Sequence, residues 1–157
     1  MPEAVIKGEA RAQVETSPEK VWELVSDITR TGEYSPENTG GEWIDGATGP
    51  AVGARFKGKN RKGWMRWSTK CFVTECEPGR VFEFAVGKDR ADKPHWRYTT
   101  EPSGTGTALT ESYAIYKYGL FYRILIKTEK RRAELDEGIR QTVQRIKAAA
   151  EGSVPPA

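Results

Sequence analysis

The stretch Ser17–Trp22, Ser-Pro-Glu-Lys-Val-Trp, marks the point where the first predicted strand of the chain gives way to a helix. Ser17 can accept hydrogen bonds from the free amides of the first turn, and Pro18 suits the first helical position, where a missing N–H costs nothing. Just before this stretch, residues 10–15 alternate between apolar and polar side chains, which is the period of a half-buried strand. The chain is therefore predicted to open with one short strand and a capped helix.

A run of alternating segments follows this helix. Helical spacing of the apolar residues continues to Ile28, and the breaks at Thr31-Gly32 and Ser35-Pro36 predict one helix or two short ones. Period-two alternation then predicts a short strand at 42–44 and longer strands at 54–60, 64–76, 81–86, 95–100 and 107–116. A turn at 61–63 and Pro78-Gly79 separate the first of them, so the strands should form a meander of hairpins.

The chain closes with a long helix. After Tyr118-Gly119 about thirty residues lack proline and favour a helix, which at 1.5 Å per residue would be roughly 45 Å long. One face of this helix carries an apolar stripe that is polar in its middle; the stripe comprises Phe121, Leu125, Thr128, Arg131 or Arg132, Leu135, Ile139, Val143 and Ile146. A sheet wrapped around this helix is the predicted architecture.

Length and composition limit what the protein can be. The 157 residues suffice for one domain, which we place at residues 1–151, with a disordered tail at 152–157. No apolar stretch is long enough to span a bilayer, and residues 1–11 lack the apolar segment of a secretory signal, so a cytoplasmic location is expected. Cys71 and Cys76 lie in one predicted strand, too far apart for a disulfide and on opposite faces, so both should be reduced thiols.

The order and the amino-acid sequences of these segments resemble those of the polyketide cyclase/dehydrase family of the START-like, Bet v 1-like (SRPBCC) superfamily. The matching pieces are residues 14–24, Gly53–Phe56 with Gly58 and Asn60, Trp67, Val73, Pro78-Gly79, Phe82, Trp96–Tyr98, Thr110–Ser112 and the closing helix. The resemblance implies an α+β helix-grip fold: a curved antiparallel sheet of six to seven strands wrapped around a long C-terminal helix, with one or two short helices after strand one. It also implies an apolar tunnel between sheet and helix.

Strand parity predicts which side chains would line that tunnel. The candidate ligand-binding residues are Phe56, Asn60, Met65, Trp67, Thr69, Phe82, Phe84, Trp96, Tyr98, Glu111 and Tyr113 from the strands, and Phe121, Leu125 and Thr128 from the closing helix. An aromatic set of this size can surround a ligand pocket, and the alternative is that it makes a solid core. The resemblance favours the pocket.

Glu111 is the candidate catalytic residue, because burial on an apolar concave face raises the pKa of a carboxylate unless a nearby cation stabilises its charge. Arg131 or Arg132 on the inner stripe of the helix could be that cation. Such a pair could be a structural strut, and Glu111 could instead act as a general acid or base.

Several chemistries are disfavoured by the sequence. A single histidine and two cysteines on opposite faces do not assemble a typical tetrahedral metal site, so no metal and no cofactor is expected. Phosphate-binding glycine loops and the Gly-x-Ser-x-Gly elbow are missing from the sequence, which disfavours nucleotide hydrolysis and serine-hydrolase chemistry.

A basic row alternates along the strand 54–60 and its turn: Arg55, Lys57, Lys59, Arg61, Lys62 and Arg66, with Trp64 nearby. It could contact RNA or an anionic membrane, but it is better explained as a solvated outer face, whose alternating lysines also protect the strand from edge pairing. With a net charge of only +3, a nucleic-acid partner is not expected, and transient membrane contact stays open.

The first hypothesis is therefore a carrier or sensor that binds a hydrophobic small molecule, a lipid or a polyketide-like compound, in an internal apolar cavity. The alternative is a cyclase/dehydrase-type enzyme that uses the same cavity, with Glu111 or a tyrosine hydroxyl moving a proton. A third reading is a basic surface module for RNA or an anionic membrane. The protein could be a monomer or a homodimer.

Overall fold

A computed structural model describes the backbone of residues 4–87, 94–116 and 129–152, and the side chains within 7–87, 94–115 and 132–152. The elements are β1 (Ala4–Val14), α1 (Pro18–Ser26), a 3₁₀ helix (Ile28–Glu33), β2 (Asn38–Ile44), β3 (Arg55–Lys62), β4 (Met65–Glu77), β5 (Val81–Val86), β6 (His95–Ser103), β7 (Gly106–Tyr116) and α2 (Glu129–Ala150).

The strands form one curved sheet in the order β1-β7-β6-β5-β4-β3-β2, and every neighbouring pair is antiparallel. The meander β2 to β7 is consecutive, and β1 joins it by pairing with β7 at the far edge. This arrangement with the C-terminal helix α2 confirms the predicted α+β helix-grip fold, with seven strands.

The segment that opens at Ser17 folds as two short helices. The Ser17 Oγ accepts from the backbone N–H of Lys20 at 3.3 Å, which confirms the cap. Asp27 ends α1 and caps the 3₁₀ helix, because its Oδ1 accepts from the N–H of Thr29 at 3.1 Å. The Trp22 indole N–H donates to the carbonyl of Val81 at 2.8 Å, so α1 is anchored on the sheet.

Two local predictions on β3 and β4 were wrong. The turn predicted at 61–63 is shorter and begins two residues later: Arg61 and Lys62 still pair in the sheet, and the turn consists of Gly63, with φ of 61°, and Trp64. The two cysteines do not stand on opposite faces. A bulge between Val73 and Glu75 shifts the alternation of β4, so Cys76 packs against the same core as Cys71.

The core lies between the concave face of the sheet and α2. Val143 and Ile146 of α2 pack in one cluster with Phe82, Tyr98 and Leu109, while Ile139 packs with Tyr113 and Ile115. The predicted apolar stripe is therefore confirmed from Leu135 to Ile146. The predicted start of the helix before residue 129, with Phe121, Leu125 and Thr128, lies outside the described residues.

Helix α2 approaches β1 closely at Gly8. A Cβ at this position would lie 2.5 Å from Oδ1 of Asp136 and 2.8 Å from Cε1 of Tyr113. We expect Gly8→Ala to lower the free energy of unfolding by about 1–3 kcal/mol, the usual cost of overpacking. Gly49→Ala is the control, because Gly49 has open space around its Cβ position and should change stability by less than about 0.5 kcal/mol. Equal urea midpoints for the two variants would contradict this account of the seating of α2.

Candidate functional site

Aromatic rings form a continuous row across the concave face of the sheet. Trp43 of β2 contacts Phe56 of β3 edge to face at a centroid distance of 5.6 Å, and Phe56 contacts Phe84 of β5 at 5.1 Å. Phe84 stacks on Trp96 of β6 at 6.3 Å, and Trp96 stacks on Tyr113 of β7 at 6.2 Å. We call these five residues the aromatic row.

The members of the aromatic row differ in burial. Phe56 and Tyr113 are buried, whereas Trp43, Phe84 and Trp96 stay partly exposed although they face the helix side of the sheet. Phe82, two residues before Phe84 on the same face of β5, has its ring 6.0 Å from that of Phe84 and is fully buried. The row therefore joins buried rings to rings that keep accessible area.

Glu111 of β7 lies beside this row, on the same face as Tyr113 two residues further along the strand. It is only 2% exposed, and Tyr98, directly opposite on β6, donates a hydrogen bond from its hydroxyl to the carboxylate. The other carboxyl oxygen, Oε1, is buried and has no hydrogen-bond partner among the described residues. Such an unpaired buried oxygen costs about 1–3 kcal/mol.

Burial raises the pKa of Glu111 to about 8, and the Tyr98 hydroxyl, which favours the charged form, offsets only part of this shift. Burial and the neighbouring Glu111 also raise the pKa of Tyr98 well above its usual value. Glu111 is therefore mainly neutral at pH 7, and its carboxyl group can donate a hydrogen bond as well as accept one.

Arg132, one of the two cations predicted to pair with Glu111, does not do so. That side chain is exposed, and the charge of Arg132 acts instead on Tyr113. The side chain of Arg131 lies outside the described residues. Among the described residues the partner of Glu111 is a hydroxyl, because the cross-strand register places Tyr98 against it.

Tyr113 is tied to the closing helix. Its hydroxyl donates to Oδ1 of Asp136 at 2.6 Å, and burial together with this carboxylate raises the pKa of Tyr113. Its hydroxyl is thus already used in the structure, whereas the Oε1 of Glu111 is not. Of the two groups proposed to move a proton, Glu111 is the better placed.

A second polar group lies at the other end of the concave face, on β2 to β4. Asn60 pairs with Trp67 across β3 and β4, and Asn38 Nδ2 donates to Asn60 Oδ1 at 3.5 Å. Thr69 Oγ1 and Asn38 Nδ2 would each lie 3.4 Å from a Cβ at Gly58, so the missing side chain of Gly58 leaves room between them. Asn60, Trp67 and Thr69 are all partly buried, as expected for residues that line a concavity.

Met65 is the candidate ligand-binding residue on the strands that lies away from this site. It follows the inward parity of β4, but it is the first residue after the hairpin turn and is 50% exposed. Its position at the tip follows from the turn at Gly63 and Trp64, which begins two residues later than the sequence suggested.

Two further concavities are formed by the described residues. A cleft of about 540 Å³ lies within the loop Asp45–Arg55, and a groove of about 420 Å³ runs between Pro36, Lys62 and the α2 residues 133–141. An ion pair between Lys62 and Glu134 crosses the groove and joins the β3–β4 hairpin to the helix. Neither concavity is lined by the aromatic row or by Glu111.

Comparison with known proteins agrees with this geometry. The family of polyketide cyclases/dehydrases and lipid transport proteins matches residues 5–151. The chain belongs to this family. The Polyketide_cyc-like protein Cgl2372 from Corynebacterium glutamicum is 32% identical, with a TM-score of 0.65 and 100% of both chains covered. No curated protein matches the chain.

Two more distant structures show the same fold as this polyketide cyclase/dehydrase family member. Protein MLL2253 from Mesorhizobium loti has a TM-score of 0.69 at 17% identity, with 95% of this chain and 99% of that chain covered. The di-domain ARO/CYC StfQ from the steffimycin biosynthetic pathway has a TM-score of 0.73 at 15% identity, and the match covers 95% of this chain and 51% of StfQ.

Other chemistry in this family member is limited by what the described residues provide. Burial raises the pKa of the Cys71 thiol to about 12, so the nucleophilic thiolate is scarce at neutral pH. The described residues contain no group of three or more His, Cys, Asp or Glu arranged to hold a metal ion. Among the helices that the structure describes, none is long and apolar enough to cross a membrane.

Sequence reasoning missed three residues of this site: Trp43, Asn38 and Asp136. Trp43 begins the aromatic row, and its place in the short strand 42–44 was the available signal. Asn38 lies in the part of β2 that was predicted to be a turn, because two glycines follow it. Asp136 lies on α2 next to the apolar stripe, and no sequence pattern connects it to Tyr113.

Proposed function

We propose that the protein binds a hydrophobic small molecule, a lipid or polyketide-like compound, above the aromatic row and carries or senses it. The observation that carries the proposal is the buried Oε1 of Glu111, which has no partner among the described residues while Tyr98 holds the other oxygen. A ligand that is mostly apolar and carries one carbonyl or hydroxyl oxygen would satisfy this group. Membership of a family described by cyclase, dehydrase and lipid transport activities supports the proposal.

The rings of the aromatic row supply the apolar surface for such a ligand. Phe84 and Trp96 lie nearly parallel, with an interplanar angle of 10°, and both keep accessible area. A flat, fused-ring compound would gain contact with both rings, and removal of its apolar surface from water contributes about 25 cal/mol per Å². We place this carrier in the cytoplasm, in keeping with two free cysteines.

The binding test compares two ligands of the same shape. Anthraquinone carries two carbonyl oxygens, and anthracene has the same three fused rings without them. We expect anthraquinone to bind about fivefold more tightly, because a neutral hydrogen bond contributes about 0.5–1.5 kcal/mol. Glu111→Leu should remove this preference while both ligands still bind, and fluorescence titration measures each affinity.

Two controls separate the possible outcomes of this titration. Above pH 8 Glu111 ionises and can no longer donate, so the preference should also decline in the wild-type protein. Glu111→Gln keeps a donor and an acceptor, and should therefore keep binding largely intact. If neither ligand binds, no ligand space exists above the aromatic row; if Glu111→Leu keeps the full preference, Glu111 is not the anchor.

A cyclase/dehydrase-type enzyme is the second candidate, favoured by the pKa of about 8 for a buried carboxyl group. A general acid works best when its pKa lies near the working pH, and Glu111 could protonate a carbonyl oxygen of a reactive chain while the aromatic row holds the chain folded. Glu111→Gln separates the two candidates, because in an enzyme it should abolish turnover of a reactive poly-β-ketone chain without weakening its binding.

A further inference from the structure

The β3–β4 hairpin exposes apolar side chains at its tip. Trp64 is 89% exposed and Met65 is 50% exposed, and both follow the turn at Gly63. No other aromatic residue appears among the large exposed apolar residues of the described chain. A tryptophan ring in this position is placed for contact with something outside the molecule.

On the outer face of the same hairpin, basic residues lie opposite other basic residues. Arg61 lies directly opposite Arg66, and Lys57 lies directly opposite Lys70, so two like-charged pairs face each other across the strands. Like charges placed directly opposite are destabilising. Within the part of the chain that the structure describes, none of these four residues takes part in an ion pair.

Protection against edge pairing does not account for these charges. Strand β3 lies inside the sheet, between β2 and β4, and therefore has no free edge to protect. Lys62 is a separate case, because its ammonium group is paired with Glu134 of α2. Of the remaining cations, Lys57 lies directly opposite Glu42 of β2, whereas Arg61 and Arg66 lie opposite each other next to the tip. The outer face of the hairpin is therefore most positive near its tip.

We propose that this hairpin docks the protein on an anionic lipid bilayer, with Trp64 and Met65 entering the interface and Arg61 and Arg66 contacting headgroups. Tryptophan favours the membrane–water interface, and each arginine or lysine near an anionic surface adds attraction. The apolar residues sit at the end of the hairpin and the cations along its shank, which fits insertion of the tip. Between the two basic pairs the outer face carries Lys59 and Ser68, and the exposed ring of Trp64 lies beyond both pairs at the tip, where it is placed for insertion and not for stacking on a base bound along the shank.

The test is sedimentation of the ligand-free protein with vesicles of phosphatidylcholine and phosphatidylserine, and with phosphatidylcholine alone. We expect binding to the anionic vesicles only, and its loss at high salt. Trp64→Ala should weaken binding by about tenfold. Val52→Ala is the matched control: Val52 is 67% exposed, lies at the opposite end of β3, and should leave binding unchanged.

The two basic pairs provide a second matched comparison, since each double variant removes two charges. Lys57 and Arg61 lie four positions apart along β3, roughly 13 Å, which exceeds the Debye length of about 8–10 Å. Arg61→Gln with Arg66→Gln should therefore weaken binding by about tenfold or more, and Lys57→Gln with Lys70→Gln by about threefold or less. Equal losses for the two pairs, binding to uncharged vesicles, or binding to single-stranded poly(U) in place of vesicles would each overturn the proposal. Because no ligand is added, these outcomes do not depend on the proposed function.

Discussion

Glu111→Gln is expected to remove most of the fall in stability that the wild-type protein shows between about pH 5 and pH 8. The folded protein holds the pKa of this carboxyl group at about 8, against an ordinary value of 4.5. Between these two pH values the folded state keeps a proton that the unfolded chain has released. Wild-type stability must therefore decline as the pH rises through this window.

The sign and size of this effect follow from proton linkage. A group whose pKa is raised on folding contributes its full stability below its unfolded pKa, and loses it progressively as the pH rises to the folded value. A shift from 4.5 to about 8 corresponds to up to about 5 kcal/mol across the window. Glutamine does not titrate, so the variant should show a nearly flat dependence at this site, whatever its absolute stability.

The measurement is a series of urea unfolding curves from pH 4.5 to pH 9 for the wild-type protein and two variants. Tyr98→Phe is the second variant, because it removes the hydrogen bond that favours ionised Glu111. In Tyr98→Phe the decline should extend to higher pH than in the wild-type protein. Parallel pH profiles for the wild-type protein and Glu111→Gln would show that Glu111 is not the buried titrating group.

Most of the fold could be predicted because it depends on local patterns. Ser17 and Pro18 signal the start of α1, and the alternation of Phe82 with Phe84 gives β5 its inner face. The error about the cysteine faces occurred where the structure departs from a strict period. The bulge between Val73 and Glu75 adds one residue to β4, and no residue type marks that insertion in advance.

The candidate site was harder to predict, because its key contacts join residues that are distant in the sequence. Parity identified Glu111 as an inward carboxylate, but the partner depends on strand register, which sets Tyr98 opposite it. An arginine was the natural expectation for a buried carboxylate, and among the residues whose side chains are described a hydroxyl takes that place. The hydrogen bond between Tyr113 and Asp136 likewise depends on how α2 lies on the sheet.

Aromatic residues in this chain divide into those that hold the fold and those that are free to bind, and Phe82 and Trp64 are the extremes. Phe82→Ala is expected to lower the free energy of unfolding by about 3–5 kcal/mol, since removal of its fully buried ring would leave a cavity beside the aromatic row. Trp64→Ala should change stability by less than about 0.5 kcal/mol, because the ring is 89% exposed. Urea unfolding at one pH measures both.

The stabilities of Trp64→Ala and Phe82→Ala also determine what the binding experiments show. If Trp64→Ala is as stable as the wild-type protein, its weaker sedimentation with vesicles reports a lost contact and not partial unfolding. If Phe82→Ala costs less than about 1 kcal/mol, the ring does not support Phe84 at their centroid distance of 6.0 Å, and the aromatic row is not a preformed surface. The ligand would then have to order the row itself, which would lower affinity by the free energy that this ordering costs.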